Sequence, residues 1–348
     1  LVSVAAGRVL VDEETMASRS HKNSFDGPYP LHLAGIRDSV QCFIPLQPTE
    51  EDLPPEPPSL IGREAEISAL KSALAEAADS TKIVVVSGKP GMGKTSLIST
   101  FTDLCGAQIL RGTGDALDQV TPYLAWRSII NKCLDLGTAG SDPNEKKQII
   151  ERRLAKNKKL KDLAPLLNEV LDLSLDENWL TSNMPRDVRA DNLKRILSWI
   201  IGQRLAVEPS VVVLEDAQWM DEGSWRLLFD LIGLKPNALV VISCRSLQGI
   251  QTARRSKLEE IGFQNIPLKG LTKADTVDFV QKRLDQHSLS DQLARILVET
   301  TEGNPLVIVV ICWVGWQSHV SVAAGGGREV WGSWVAGGGG TSGGGGLG

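Results

Sequence analysis

The sequence between positions 88 and 95 is Gly88-Lys89-Pro90-Gly91-Met92-Gly93-Lys94-Thr95, which has the spacing Gly-x-x-x-x-Gly-Lys-Thr. An apolar run, 83–86, leads directly into it. This order predicts a buried strand that ends at Ser87, a glycine-rich loop, and a helix that begins near Gly93. Glycines let such a loop curl until its N–H groups converge on phosphate oxygens, and the positive end of the helix dipole adds to the attraction. The stretch therefore predicts a site for a nucleoside triphosphate.

Every residue of this phosphate loop, 88–95, is a candidate contact of the nucleotide. Lys94 is expected to reach the β- and γ-phosphates, and the Thr95 hydroxyl is expected to ligate Mg²⁺. ATP or ADP together with Mg²⁺ are accordingly the predicted cofactors. The alternative is a glycine-rich hairpin with a solvated lysine, and the strand that precedes the loop argues against it.

A pair of acidic residues follows the apolar run 211–214, which is typical of a strand in the buried centre of a parallel sheet. These residues are Glu215 and Asp216. One carboxylate in this position can lie beside the Mg²⁺, and its neighbour can polarise the attacking water. Glu215 and Asp216 are therefore candidate catalytic residues, and with Thr95 they are candidate metal ligands. An acidic turn at a strand end is the alternative, and the phosphate loop upstream argues against it.

Arg245 follows another apolar run, 239–243. A cation at the carboxyl end of a parallel strand faces the crevice in which α/β proteins bind their ligands. There a guanidinium can act as a bidentate donor to the γ-phosphate. Arg245 is therefore the third candidate catalytic residue, and a solvated arginine in a strand-end loop is the alternative.

Changes in composition and periodicity divide the chain into five segments. Residues 1–46 are β-rich and too few to bury a core alone, and residues 47–58 form a proline-rich, acidic linker. Strand and helix patterns alternate over 59–270, which predicts an α/β fold with a parallel sheet flanked by helices. Residues 271–310 are predicted to form a small helical lid. Residues 311–348 contain four of the nine tryptophans and runs of glycine, so we predict no regular structure there and interpret the segment as an artefact of the gene model.

Composition and charge narrow the possible functions. The formal net charge of −5 argues against bulk nucleic-acid binding, and the basic residues of 145–161 are interpreted as the solvated face of a helical stretch, 145–173. The five cysteines are scattered without a Cys-x-x-Cys pair, so neither a zinc site nor a disulfide framework is suggested. The N-terminus lacks the basic region followed by an apolar run that is typical of a signal peptide. The apolar run 306–316 is too short to cross a bilayer. We expect a cytoplasmic location and no membrane partner.

Taken together, the motifs over residues 59–306 resemble those of the signal-transduction ATPases with numerous domains (STAND). The matching stretches are 61–64, 88–95, 215–221, 243–245 and 301–306. The resemblance implies that Ile61, Gly62 and Arg63 flank the adenine, and that Pro305 packs on the nucleotide from the lid. Many members of the class carry an aspartate where Glu215 stands, so the division of roles between the two carboxylates stays open.

A second resemblance lies near the N-terminus. Residues 7–15 and 29–36 resemble the C-terminal end of a class III nucleotide cyclase domain. A cyclase end, a linker and a STAND ATPase follow one another in soluble, type 10-like, adenylate cyclases. The resemblance implies a short α+β cyclase remnant in residues 1–46. The metal-binding aspartates of such a cyclase would lie upstream of Leu1, so the chain itself is expected to make no cyclic AMP.

These resemblances imply a slowly hydrolysing regulatory ATPase that controls an attached adenylate or guanylate cyclase in signal transduction. The nucleotide and the cyclase domain are its expected partners, self-association is left open, and nucleic acid is not expected. Two alternatives stand beside this interpretation. One is an ATPase of the origin-recognition AAA+ type, associated with nucleic acid, which a basic lid or winged helix after residue 306 would favour. The other is a scaffold that binds nucleotide without hydrolysing it.

Overall fold

The structure is a computed structural model of the chain. It describes residues 3–5, 8–12, 25–31, 40–45, 60–139, 142–155, 157–171, 173–284 and 291–320. The chain divides into two compact units, Leu1–Ser59 and Leu60–Gly348. Each unit has its own sheet.

The first unit contains a four-stranded antiparallel sheet. Its strands are β1 (Ser3–Ala5), β2 (Arg8–Asp12), β3 (Phe25–Leu31) and β4 (Val40–Pro45). They lie in the order β1-β2-β4-β3. The runs 8–11, 29–33 and 40–44 each predict a strand, and β2, β3 and β4 lie at these places, whereas the sequence does not predict β1. Residues 12–15 predict a helix start, and 13–15 lie outside the described residues.

The second unit is built on a five-stranded parallel sheet. Its strands are β5 (Lys82–Ser87), β6 (Gln108–Thr113), β7 (Ser210–Glu215), β8 (Ala238–Cys244) and β9 (Gln264–Pro267). They lie in the order β6-β7-β8-β5-β9, and every neighbouring pair is parallel. Strands β7 and β8 are buried along their whole length, as their uninterrupted apolar runs predict.

Helices cover both faces of this sheet. Before the lid they are α1 (Glu64–Glu76), α2 (Lys94–Leu104), α3 (Arg127–Cys133), α4 (Pro143–Leu154), α5 (Lys158–Lys161), α6 (Trp179–Ser182), α7 (Arg186–Leu205), α8 (Glu222–Gly233) and α9 (Thr252–Ile261). Alternate side chains of β5 enter opposite cores, because successive strand residues point to opposite faces. Val84 and Val86 pack with α1 and α2, whereas Ile83 and Val85 pack with α3, α4, α7 and α8. This confirms the predicted α/β fold with a parallel sheet flanked by helices.

The helical stretch predicted over 145–173 is interrupted. Helix α4 ends at Leu154, and the Asn157 side chain accepts a hydrogen bond from the Leu160 N–H as the N-cap of α5. A 3₁₀ helix follows over Ala164–Glu169, with Pro165 near its start. An asparagine cap and a proline both favour a new helix start over continuation, so the segment turns instead of running straight.

The lid contains α10 (Lys273–Leu284), α11 (Asp291–Thr301) and α12 (Pro305–Val320). Its small core includes Val280, Leu297, Ile308 and Cys312. Helix α12 continues ten residues past 310, so the prediction of no regular structure over 311–348 is wrong for 311–320. Ile308 and Cys312 are one helical turn apart and both are buried, which gives the helix an apolar face there. Residues 321–348 lie outside the described residues.

Among the residues that the structure describes, no helix is both long enough and apolar enough to cross a lipid bilayer.

Candidate functional site

The phosphate loop connects β5 to α2, as the sequence predicts. Gly91 and Gly93 have positive φ angles of 80° and 84°, which glycine adopts without steric cost. The Gly88 N–H donates to the Cys244 carbonyl at 3.2 Å and so ties the loop to the end of β8. The Lys94 ammonium donates to the carbonyls of Gly88 at 2.8 Å and Lys89 at 3.3 Å. The loop is therefore curled around the end of its own lysine.

The N–H groups of this loop are suited to bind an anion. In the described part of the chain, the N–H groups of Gly91, Gly93 and Lys94 have no hydrogen-bond acceptor. Lys94 opens α2, so its N–H belongs to the helix end that carries partial positive charge. Burial lowers the pKa of the Lys94 ammonium, while the nearby Asp216 carboxylate acts in the opposite direction. Free N–H donors beside a partly desolvated ammonium fit the phosphates of a nucleotide.

Two of the predicted metal ligands are in direct contact. The Thr95 hydroxyl donates to Glu215 Oε2 at 2.7 Å. Glu215 ends β7 and is buried, with only 5% of its surface exposed. No cluster of three or more His, Cys, Asp or Glu side chains that could hold a metal occurs in the described ranges. A hydroxyl and one carboxylate nevertheless fit Mg²⁺, because this ion usually takes its other ligands from water and substrate phosphates.

Asp216 and Arg245 lie on either side of Gln218. Asp216 adopts a left-handed conformation with φ of 49°, and its side chain accepts a hydrogen bond from Gln218 Nε2 at 2.9 Å. The other end of this amide, Gln218 Oε1, accepts from the Arg245 backbone N–H at 3.2 Å. The Arg245 guanidinium lies 5.1 Å from the centre of the Trp219 ring, and its charge contributes to lowering the pKa of Lys94. The structure thus brings both residues to the loop edge of the sheet.

The segment 61–63 joins the phosphate loop to the start of the lid. Arg63 is buried, and its guanidinium donates to the Lys269 carbonyl at 2.6 Å and the Met92 carbonyl at 3.4 Å. Ile61 is buried as well. Gly62 has a φ of 65°, and a Cβ atom there would lie 2.4 Å from Asp275 Cγ of α10, so any other residue would be strained and would displace the Asp275 carboxylate. Arg63 thus connects the phosphate loop to Lys269 near the end of the core, and Gly62 lies against the first helix of the lid.

The lid makes hydrogen bonds directly to the phosphate loop. Asn304 Nδ2 donates to the Pro90 carbonyl at 2.9 Å, and the Leu306 N–H donates to the Gly91 carbonyl at 3.3 Å. Pro305 stands between these two bonded residues and is half-buried. A Cβ atom on Gly91 would lie 2.6 Å from Asn304 Oδ1, so the lid approaches as closely as it does because this loop residue has no side chain.

Sequence reasoning missed two residues of this region. Asn304 stands immediately before a proline and an apolar run, which is a helix N-cap signal that could have been recognised. Arg111 lies 3.6 Å from Glu215 Oε1, measured from its Nε. No pattern in the sequence distinguishes this arginine from any other at the edge of a strand.

Two cavities lie elsewhere in the second unit. They have volumes of about 530 and 560 Å³, and α7 residues such as Trp199 and Gln203 line both. None of the predicted site residues lines either cavity. The candidate site is therefore identified by its donors and carboxylates and not by the volume of a cavity.

The chain matches a known protein family over more than half of its length. A family described as "AAA ATPase domain" matches residues 59–242. The chain belongs to this family. The match spans the segment 61–63, the phosphate loop, and Glu215 with the Asp216 that follows it. No curated protein matches the chain.

Several solved structures are similar in fold. They include Cdc6p from Pyrobaculum aerophilum, with 15% identity, a TM-score of 0.42, and coverage of 75% of this chain and 62% of that one. A STAND protein with a tetratricopeptide repeat sensor from Pyrococcus horikoshii has 15% identity and a TM-score of 0.36, over 72% of this chain and 29% of that one. The Orc1 protein of Aeropyrum pernix, solved in complex with DNA, has 14% identity and a TM-score of 0.38, over 72% of this chain and 60% of that one. The chain spans less than two thirds of each of these proteins, and the similarity concerns the fold alone.

Proposed function

We propose that this chain is an ATP-binding, slowly hydrolysing regulatory ATPase of the STAND type, in which the lid responds to the state of the nucleotide. The observation that carries the proposal is the pair of hydrogen bonds from Asn304 and Leu306 to the carbonyls of Pro90 and Gly91. A lid bonded to the loop that binds phosphate is placed to move when the phosphates change. A ligand shifts such an equilibrium by as much as it favours one state over the other.

In this proposal the loop N–H groups and Lys94 bind the phosphates, and Thr95 and Glu215 face the Mg²⁺. The contact between Thr95 and Glu215 supports the assignment of Glu215 as the Mg²⁺-linked carboxylate. Asp216, which Gln218 orients, is then the residue that positions the attacking water. Mg²⁺ would neutralise charge that develops on the phosphates during transfer.

The proposal extends to the neighbouring unit and to the partners. Residues 1–46 would be the end of a class III cyclase domain, 47–58 a linker, 59–270 the ATPase core, and 271–310 the lid, which α12 extends to Val320. The resemblance of residues 7–15 and 29–36 to a cyclase end supports this extension. The ATPase would then control cyclic nucleotide synthesis by the attached domain.

Calorimetric titration with Mg-ATP tests the nucleotide site. Lys94→Ala should weaken ATP binding about 10- to 100-fold, because a hydrogen bond to a charged group contributes about 1.5–3 kcal/mol. Lys82→Ala is a matched control, since Lys82 begins β5, the strand that leads into the phosphate loop, and pairs with Glu76 at 2.9 Å. Circular dichroism should show the same fold for both variants.

Equal ATP affinity in wild type and Lys94→Ala would refute the phosphate-site assignment. Turnover measured beside binding separates an ATPase from a scaffold that only binds. Nucleotide binding with no phosphate release over many hours would refute the hydrolysing part of the proposal.

A further inference from the structure

Arg111 is a charged residue of β6 that the proposed chemistry does not yet use. Its guanidinium donates to the hydroxyls of Ser99 at 3.1 Å and Thr102 at 3.2 Å. Its Nε atom is buried and has no hydrogen-bond partner in the described part of the chain. The nearby Glu215 Oε1, at 3.6 Å, forms an ion pair with this Nε. The side chain is therefore held by groups from two different elements.

These two elements carry the two halves of the predicted metal site. Ser99 and Thr102 belong to α2, the helix in whose first turn Thr95 lies. Glu215 ends β7, the neighbour of β6, and pairs in register with Thr113. Arg111 therefore bridges the helix that follows the phosphate loop and the strand that ends in the carboxylate.

The two oxygens of the Glu215 carboxylate have different partners. Oε2 accepts the hydrogen bond from Thr95, and Oε1 faces Arg111. Only 7% of the Glu215 side chain is exposed, so water contributes little to its solvation. A carboxylate this buried requires hydrogen bonds or an opposite charge nearby. At 3.6 Å the contact with Arg111 is too long for a hydrogen bond and acts through charge.

We propose that Arg111 is a positioning residue that holds Glu215 Oε1, so that Oε2 stays turned towards Thr95 and the Mg²⁺ of the bound nucleotide. This inference rests on the proposed function, since it assumes that Thr95 and Glu215 face that ion. Arg111 itself touches neither nucleotide nor metal and acts through Glu215. Loss of the groups that orient a metal-binding side chain typically lowers metal affinity 10- to 100-fold.

The test measures ATP binding to the full chain as a function of Mg²⁺ concentration, with a fluorescent ATP analogue. Arg111→Met should raise the Mg²⁺ concentration needed for half-maximal tight binding about tenfold. Binding in EDTA should be unchanged, because Arg111 does not contact the phosphates. Arg111→Gln keeps a donor for the α2 hydroxyls without the charge and should behave like Arg111→Met, whereas Arg111→Lys should recover part of the wild-type response.

Arg204→Met is the matched control. Arg204 also has a buried Nε without a partner in the described residues, and its guanidinium lies 3.9 Å from Glu208. It precedes β7, whereas Glu215 ends that strand. Its replacement should leave the Mg²⁺ response unchanged even if thermal stability falls.

A double-mutant comparison separates positioning from a merely structural role. In a Glu215→Gln background the effect of Arg111→Met on the Mg²⁺ response should disappear, because the residue through which Arg111 acts is gone. Persistence of the effect in that background would overturn the inference. An unchanged Mg²⁺ response in both Arg111→Met and Arg111→Gln, with normal wild-type binding, would overturn this inference alone. Absence of ATP binding by the wild-type chain would overturn the proposed function and this inference with it.

Discussion

Asn304 offers a direct test of how the lid is held to the phosphate loop, because the two ends of its amide make different hydrogen bonds. Nδ2 donates to the Pro90 carbonyl at 2.9 Å. Oδ1 accepts from the Leu306 N–H at 3.1 Å, which caps the first turn of α12. Asn304→Ala removes both interactions. Asn304→Asp keeps an oxygen for the cap but has no donor for Pro90.

The size of each effect follows from these contacts. Loss of an N-cap side chain costs about 1 kcal/mol of stability. Loss of a hydrogen bond between neutral groups costs about 1 kcal/mol as well. Asn304→Ala should therefore destabilise the second unit by about 2 kcal/mol, and Asn304→Asp by about 1 kcal/mol. For a unit of this size each kcal/mol corresponds to about 2–4 °C in melting temperature.

Thermal unfolding followed by circular dichroism ranks the stabilities of wild type, Asn304→Asp and Asn304→Ala. Calorimetric titration with ATP and ADP measures the affinity of each protein for the two nucleotides. If the lid responds to nucleotide, Asn304→Asp should change the ratio of the ATP and ADP affinities. Glu302→Gln is the control on the same turn. Its ion pair with Lys89 measures 2.5 Å but both side chains are about two-thirds exposed, so we expect no measurable change in stability.

A specific pattern of results would refute this reasoning. Equal melting temperatures for Asn304→Asp and wild type would mean that the bond to Pro90 contributes nothing. Equal losses in Asn304→Asp and Asn304→Ala would mean that the cap contributes nothing. Unchanged affinities for both nucleotides in Asn304→Asp would separate the lid contact from the nucleotide site.

Three further predictions follow from the site and the cores. Asp216→Asn should slow steady-state hydrolysis about a hundredfold at saturating ATP while Glu215→Gln mainly raises the Mg²⁺ requirement; the reverse result would exchange their roles. A chain that ends at Val310 loses the buried Cys312 and should melt lower, whereas a chain that ends at Val320 should melt as the full chain does. Burial raises the pKa of the Cys133 thiol from 9.0 to about 12. Its contribution to the free energy of unfolding is therefore fully present below pH 9 and should be lost as the pH rises towards 12. Denaturant titration at several pH values should show a shallower fall in the free energy of unfolding for Cys133→Ala.

Local pattern accounts for the part of the fold that sequence reasoning predicted. The strand before the phosphate loop and the strand that ends at Glu215 are apolar runs, which are typical of a parallel sheet covered by helices on both faces. The loop itself is specified by glycines whose φ angles are positive in the structure. These features depend on residues close in sequence, so they can be read without knowing how the chain packs.

The parts that were missed depend on contacts between distant residues. Asn304 and Pro90 are 214 residues apart in the sequence, and no local pattern specifies their bond. Arg111 meets Glu215 because β6 and β7 are neighbours, and the order of parallel strands cannot be read from periodicity. The continuation of α12 past residue 310 was missed because a glycine-rich composition farther along outweighed the spacing of Ile308 and Cys312.

Each peptide group of the phosphate loop has two opposite edges, a carbonyl on one side and an N–H on the other. The carbonyl of Pro90 points to Asn304, so the N–H of the same trans peptide, that of Gly91, points away from the lid. A peptide group is planar and rigid. If this N–H turns towards a phosphate, the carbonyl rotates with it through the same angle, and its oxygen moves in the opposite direction. In the proposed function, a contact between this N–H and a phosphate would rotate the carbonyl that faces the lid, because both belong to one planar peptide group.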